Sequence, residues 1–120
     1  MSRRYVLYLK DMEQACIKVQ EFADGLTYEE FISYGMPYHA MVRLIEVIGE
    51  AAKAIPEDVR ARYLEVEWRR MGRTRDIMAH HYFGLEDDTL WEIIEKHVPA
   101  LMAHLGPIIE AESGTEDTTG

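Results

Sequence analysis

The chain lacks a second cysteine: Cys16 stands alone among 120 residues, which excludes an internal disulfide and a cysteine-based metal finger and fits a reducing compartment. It also lacks a long apolar run. The opening segment "MSRRYVLYLKDMEQ" returns to charge at Lys10 and Asp11, so it reads neither as a signal peptide nor as a membrane span. A soluble, cytoplasmic protein with no membrane partner is expected. No stretch alternates apolar and polar residues between turn signals, which removes strands from the expected fold. Internal repeats, a phosphate-cradling glycine loop and a serine elbow are absent as well. A surplus of basic residues is also missing. The 13 Lys and Arg face 22 Asp and Glu, and the net charge of −9 excludes a protein that coats nucleic acid non-specifically. No DNA partner is expected.

What the chain does have is helical periodicity. Tyr5, Leu9, Met12, Cys16, Val19 and Ala23 recur at alternating steps of four and three, one apolar stripe on a helix from about Arg3 to Ala23. Gly25 breaks it, and Thr27 followed by Glu30 reads as a capping box opening a short second helix. From Pro37 a broader seam begins. Met41, Ile45, Ile48, Ala52 and Ile55 form it and Leu44, Val47 and Ala51 widen it, so this helix should be central. Gly49 within it predicts a close approach by a neighbouring helix, because it otherwise costs about 1 kcal/mol relative to alanine. Pro56 ends the element, "PEDVRARY" can form a helical turn, and Trp68 opens the next helix. The final helix starts near "EDDT" and keeps Leu90, Ile94, His97, Leu101 and Ile108 on one face, with a kink or division expected at Pro99. On that face His97 reads as a core histidine. The fold expected is all-α, an antiparallel bundle of four to five helices. At 48% hydrophobic residues the chain can build one core, placed at residues 1–111, with an acidic, disordered tail at 112–120.

Charge is unevenly distributed. Six of the 13 basic residues fall between Arg60 and Arg75, and "WRRMGRTR" carries four arginines and no acid. One local basic patch on an acidic body suits a site that handles a single phosphate. The patch runs into "RTRDIMAHHYFG", which holds Arg73, Arg75, Asp76, His80, His81 and Tyr82. On a helix opened at Trp68, Arg75 shares a stripe with Trp68, Met71, Met78 and Tyr82. A guanidinium there requires either a carboxylate from another helix or an anion from outside. His80 lies about 140° around the helix from Arg75, so either the helix ends within the motif or the two groups meet across a second copy of the chain. Asp76, four residues before His80, can hold its imidazole or pair with Arg73 or Arg75.

An imidazole with a pKa near 6.5 beside a guanidinium is a minimal kit for metal-free RNA cleavage. The histidine moves a proton as the ribose 2′-hydroxyl attacks its own phosphate, and the arginine stabilises the charge that builds there. No metal site is expected, because His39, His80, His81, His97 and His104 show no diagnostic ligand spacing, and no cofactor is implied.

"RDIMAHHYFG" fits the pattern Arg-x4-His-x-Tyr through Arg75, His80 and Tyr82 and resembles the HEPN superfamily, in particular its HepT-like ribonuclease toxins. "RLIEVIGEAAKAIP", "YLEVEWRRMGRTRD" and "YFGLEDDTLWEIIEKHVPAL" extend the resemblance over about Tyr5 to Leu105. The resemblance implies an all-α homodimer with the motif lining a cleft between subunits, metal-independent endoribonuclease activity on an RNA substrate, and an MntA-like nucleotidyltransferase antitoxin. It makes Arg75 and His80 the catalytic pair, with His81 the alternative to His80 and Asp76 in support. Tyr82 becomes the residue that the antitoxin modifies with AMP, an anionic group that would occupy the arginine. The alternative is a non-catalytic helical subunit that binds nucleotide or substrate for a minimal nucleotidyltransferase.

Overall fold

A computed structural model describes residues 4–80 and 86–119, with backbone alone at 79–80 and 115–119. Among these residues every regular element is helical: α1 (Arg4–Ala23), α2 (Tyr28–Phe31), α3 (Met36–Ala54), α4 (Glu57–Arg62), α5 (Trp68–His80), α6 (Asp87–Glu92), a π-helical turn (Ile93–His97) and α7 (Val98–Thr119). No helix among the described residues is long and apolar enough to cross a membrane.

The apolar stripe of α1 is where the sequence places it. Leu9, Met12, Cys16 and Val19 are fully buried, each larger side chain contributing about 1.5–3 kcal/mol. That burial, more than helix propensity, holds α1 in place. Gly25 adopts φ 75°, the left-handed conformation that lets the chain turn after α1, and the Leu26 N–H donates to the Ala23 carbonyl at 2.9 Å. The capping box then starts α2: the Glu30 N–H donates to Thr27 Oγ1 at 3.1 Å, and the Thr27 N–H donates to Glu30 Oε1 at 2.9 Å.

α3 is the central helix, packed against α1 on one side and α5 on the other. All five residues of its expected seam are buried. Gly49 marks the crossing with α5. A Cβ there would lie 2.4 Å from Arg75 Cβ and 2.7 Å from the Met71 carbonyl oxygen, so only glycine lets the two backbones approach this closely. Gly49→Ala must therefore push α5 away. Overpacking against backbone outweighs the propensity gain of about 1 kcal/mol, and a net loss of about 1–3 kcal/mol is expected. Thermal unfolding of the variant at unchanged or higher temperature would contradict the close approach.

α1 and α7 run antiparallel, since Tyr5 near the start of α1 bonds Glu112 near the end of α7, and Gly106 faces Glu13. The division expected at Pro99 takes the form of the π turn just before it, in which the Val98 N–H reaches back to the Ile93 carbonyl. Proline has no N–H to give and its ring crowds the preceding turn, so the ladder widens ahead of it. His97 lies on this turn, and there the expectation of a core position fails: its side chain is 36% exposed, with Nε2 3.6 Å from Glu92.

α7 runs on to Thr119, and Glu112, placed by the sequence in the acidic tail, is 3% exposed. Its carboxylate accepts hydrogen bonds from Tyr5 Oη and Arg62 Nη2, both 2.8 Å to Oε1, and from Tyr63 Oη. Composition identified an acidic segment but could not show that two tyrosines and an arginine from α1, α4 and its flank converge on one of its carboxylates. Burial pushes this carboxyl up, but the bonds from Tyr63, Arg62 and Tyr5 outweigh burial and hold it below its ordinary value.

Candidate active site

α5 begins where its sequence predicts. Trp68 is 6% exposed and its indole N–H donates to the Tyr63 carbonyl at 3.0 Å, which fixes the first turn. From there the helix continues without a break through Arg75 to His80. An end between those two residues is thus excluded, and at 3.6 residues per turn the two positions lie about 140° apart around the helix axis. Gly72, inside the run, does not interrupt it. It is buried, and a Cβ there would lie 2.8 Å from Lys53 Cγ, so it makes room for the stem of a lysine on α3.

Arg75 packs its stem on the bare face of Gly49 and turns its guanidinium along α3. Nη2 donates to Glu50 Oε1 at 3.4 Å and Nη1 to Asp76 Oδ1 at 3.5 Å, while the buried Nε makes no hydrogen bond among the described residues. These bonds are long for ion pairs, which typically close to about 2.7–2.9 Å. Glu50 is also shared with Arg43 at 3.7 Å. The guanidinium is half-buried and its donors are not saturated.

Asp76 has a stronger tie elsewhere. Lys53 Nζ donates to its Oδ1 at 2.7 Å, and this bond, ahead of the Arg75 contact, holds the carboxyl below the ordinary range. Of the two uses weighed for Asp76, pairing with Arg75 is present, but the main partner is a lysine that the motif does not contain. Lys53 and Glu50 escaped sequence reasoning. Their only signal was Gly49, which announced that a helix would cross here without saying which one. Together Arg43, Lys53 and Arg75 set three positive charges against the two of Glu50 and Asp76, a surplus of one (3 − 2 = 1) on an acidic chain.

Among the remaining motif residues, His80 is the last described residue of α5 and its side chain lies outside the described residues, as do His81 and Tyr82 entirely. Beyond the motif, Asp87 is anchored by the hydroxyls of Tyr34, at close range, and of Tyr38 at 3.4 Å. Phe31 packs between the rings of Tyr38 and Trp91, 4.9 and 5.1 Å away, so α2, α3 and α6 are joined where the chain leaves the motif.

A family model described as Ribonuclease HepT-like matches residues 12–108. The chain is 36% identical over 101 residues to the probable ribonuclease HepT of Thermococcus cleftensis, covering 84% of this chain and 92% of that protein. It is 33% identical over 112 residues to a protein of Methanocaldococcus jannaschii that carries an RNase name, covering 93% of each. A third RNase-named relative, from Caldanaerobacter subterraneus, is 33% identical over 105 residues, 88% of this chain and 94% of its own. No solved structure matches significantly. With an all-helical fold and a match that runs from the first helix to the last, the chain belongs to the HepT-like ribonuclease family.

Proposed function

We propose that the chain is a metal-independent endoribonuclease toxin that works as a homodimer and is neutralised by an MntA-like nucleotidyltransferase antitoxin. The unbroken course of α5 through Arg75 and His80 carries this reading. Two helix positions about 140° apart around one axis serve a single phosphate most simply when each chain gives one of them to a cleft shared with a second copy. The relatives' names, which give them as ribonucleases, support RNA as the substrate. In the proposed reaction His80 takes the proton of the ribose 2′-hydroxyl as that oxygen attacks the adjacent phosphorus. The bond to the 5′-oxygen breaks and that oxygen takes the proton back from His80, leaving a 2′,3′-cyclic phosphate and a 5′-hydroxyl. Arg75, with donors to spare, holds the phosphate oxygens, and Asp76 keeps the guanidinium in place from the lysine side.

The test is cleavage of single-stranded RNA by the purified chain and its histidine variants. His80→Ala should lower the rate by about a hundredfold or more, and His81→Ala should leave it within a few-fold. The opposite pattern would transfer the role to His81, and equal background in the wild type and both variants would refute the proposal. Neutralisation has its own readout. Incubation with the nucleotidyltransferase and ATP should add AMP to the wild type and not to Tyr82→Phe; unchanged addition to the variant would remove Tyr82 from the account.

A further inference from the structure

A second feature lies beside the charged cluster, where α3, α5, the π turn and α7 line a half-open cavity of about 120 Å³. Its floor is apolar, formed by Ile45, Ile48, Met71 and Leu101. Its rim is polar: Arg70 and Thr74 from α5, His97 from the π turn and His104 from α7. The cavity adjoins Arg75. Met71 lines it and lies four residues before Arg75, about 6 Å along the axis, and both residues border Gly49.

From this cavity we infer a subsite for one unstacked base of the RNA, a pyrimidine, next to the phosphate held by Arg75. Size favours one six-membered ring, since a dry cavity of about 150 Å³ accommodates benzene. Charge favours a neutral occupant. Glu65 and Glu67 also stand at the rim, and Arg70 is already paired with Glu67 at 3.4 Å, so a phosphate would meet more carboxylate than free cation. The available polar groups match the edge of a base. Thr74 Oγ1 donates to the Arg70 carbonyl at 2.9 Å and keeps lone pairs for a base N–H. The His104 side chain makes no hydrogen bond among the described residues, and its ring can donate to a base carbonyl. Bases splayed out of single strands are recognised by this combination of packed faces and hydrogen-bonded edges. The inference rests on the proposed RNA cleavage at Arg75, and it makes His104 and Thr74 specificity-determining rather than catalytic.

The experiment uses the full chain and four RNA trinucleotides, AUA, ACA, AAA and AGA, made uncleavable by 2′-deoxy sugars at the first and central positions. Wild type should bind the two with a central pyrimidine about tenfold more tightly than the others and show shifted His104 ring signals by NMR. Ala100→Phe, at an exposed position on the rim, should fill the cavity and erase the preference; His104→Ala should weaken it by about fivefold. Equal binding of all four by wild type, or an unchanged preference in both variants, would overturn the inference. So would loss of the homodimer in Ala100→Phe, because the cavity would then receive a second copy of the chain. Pyrimidine preference without cleavage of the all-ribose trinucleotides would refute the nuclease reading alone, and cleavage without preference would refute the subsite alone.

Discussion

Arg75→Ala should lower the rate of RNA cleavage by about a hundred- to a thousandfold, the cost of removing one preorganised donor from a developing oxyanion. The magnitude rests on how the guanidinium is held. Its contacts to Glu50 and Asp76, at 3.4 and 3.5 Å, orient the group without exhausting its five N–H donors. The same geometry makes Arg75→Lys informative. Lysine keeps the charge and can lay its stem on Gly49, but it loses the planar fork, so activity should recover only in part. Both variants should unfold within a few degrees of the wild type, because the residue is half-buried and its partners can turn to water. Wild-type cleavage by Arg75→Ala would remove this residue from the chemistry.

Stability should depend most on a residue far from the motif. Glu112→Ala leaves the hydroxyls of Tyr5 and Tyr63 and the guanidinium of Arg62 without their shared acceptor. Arg62 is about half exposed and can rehydrate, so the expected loss is about 2–3 kcal/mol rather than the larger cost of a fully buried broken pair. For a chain of this size that is roughly 10 °C in melting temperature. The sign of the pH dependence follows from the carboxyl itself. Its folded-state pKa lies below its unfolded one, so its contribution is complete above the unfolded value and is lost as pH falls through the depressed folded value. Glu112→Gln should flatten the acid limb of a plot of melting temperature against pH. Parallel curves for wild type and variant would show that the network carries no linkage.

Much of the helical layout is readable from the sequence because each boundary has a local chemical cause. Thr27 and Glu30 cap each other, Pro37 occupies a first turn where its missing N–H costs nothing, and Gly25 supplies a positive φ. Apolar periodicity likewise identifies α3 as central. What escaped depends on contacts between residues distant in the chain. Lys53 meets Asp76 across 23 positions, and Glu112 meets Tyr5 across 107; no local pattern encodes either pair. His97 was misjudged for a related reason. Periodicity put it on the apolar face, but the π turn before Pro99 adds a residue to that turn and rotates the face, carrying the imidazole to the rim of a cavity. Residue type and spacing let the motif be read as chemistry, and the position of Arg75 at the Gly49 crossing gives that reading a physical setting.

The most direct measurement of the central claim is cleavage of single-stranded RNA by the purified wild-type chain in excess chelator, beside the double variant Arg75→Ala, His80→Ala. The account predicts cleavage at an undiminished rate with cyclic phosphate at the new 3′ ends, and none above background from the double variant. Activity that vanishes with chelator, or that persists in the double variant, would contradict it.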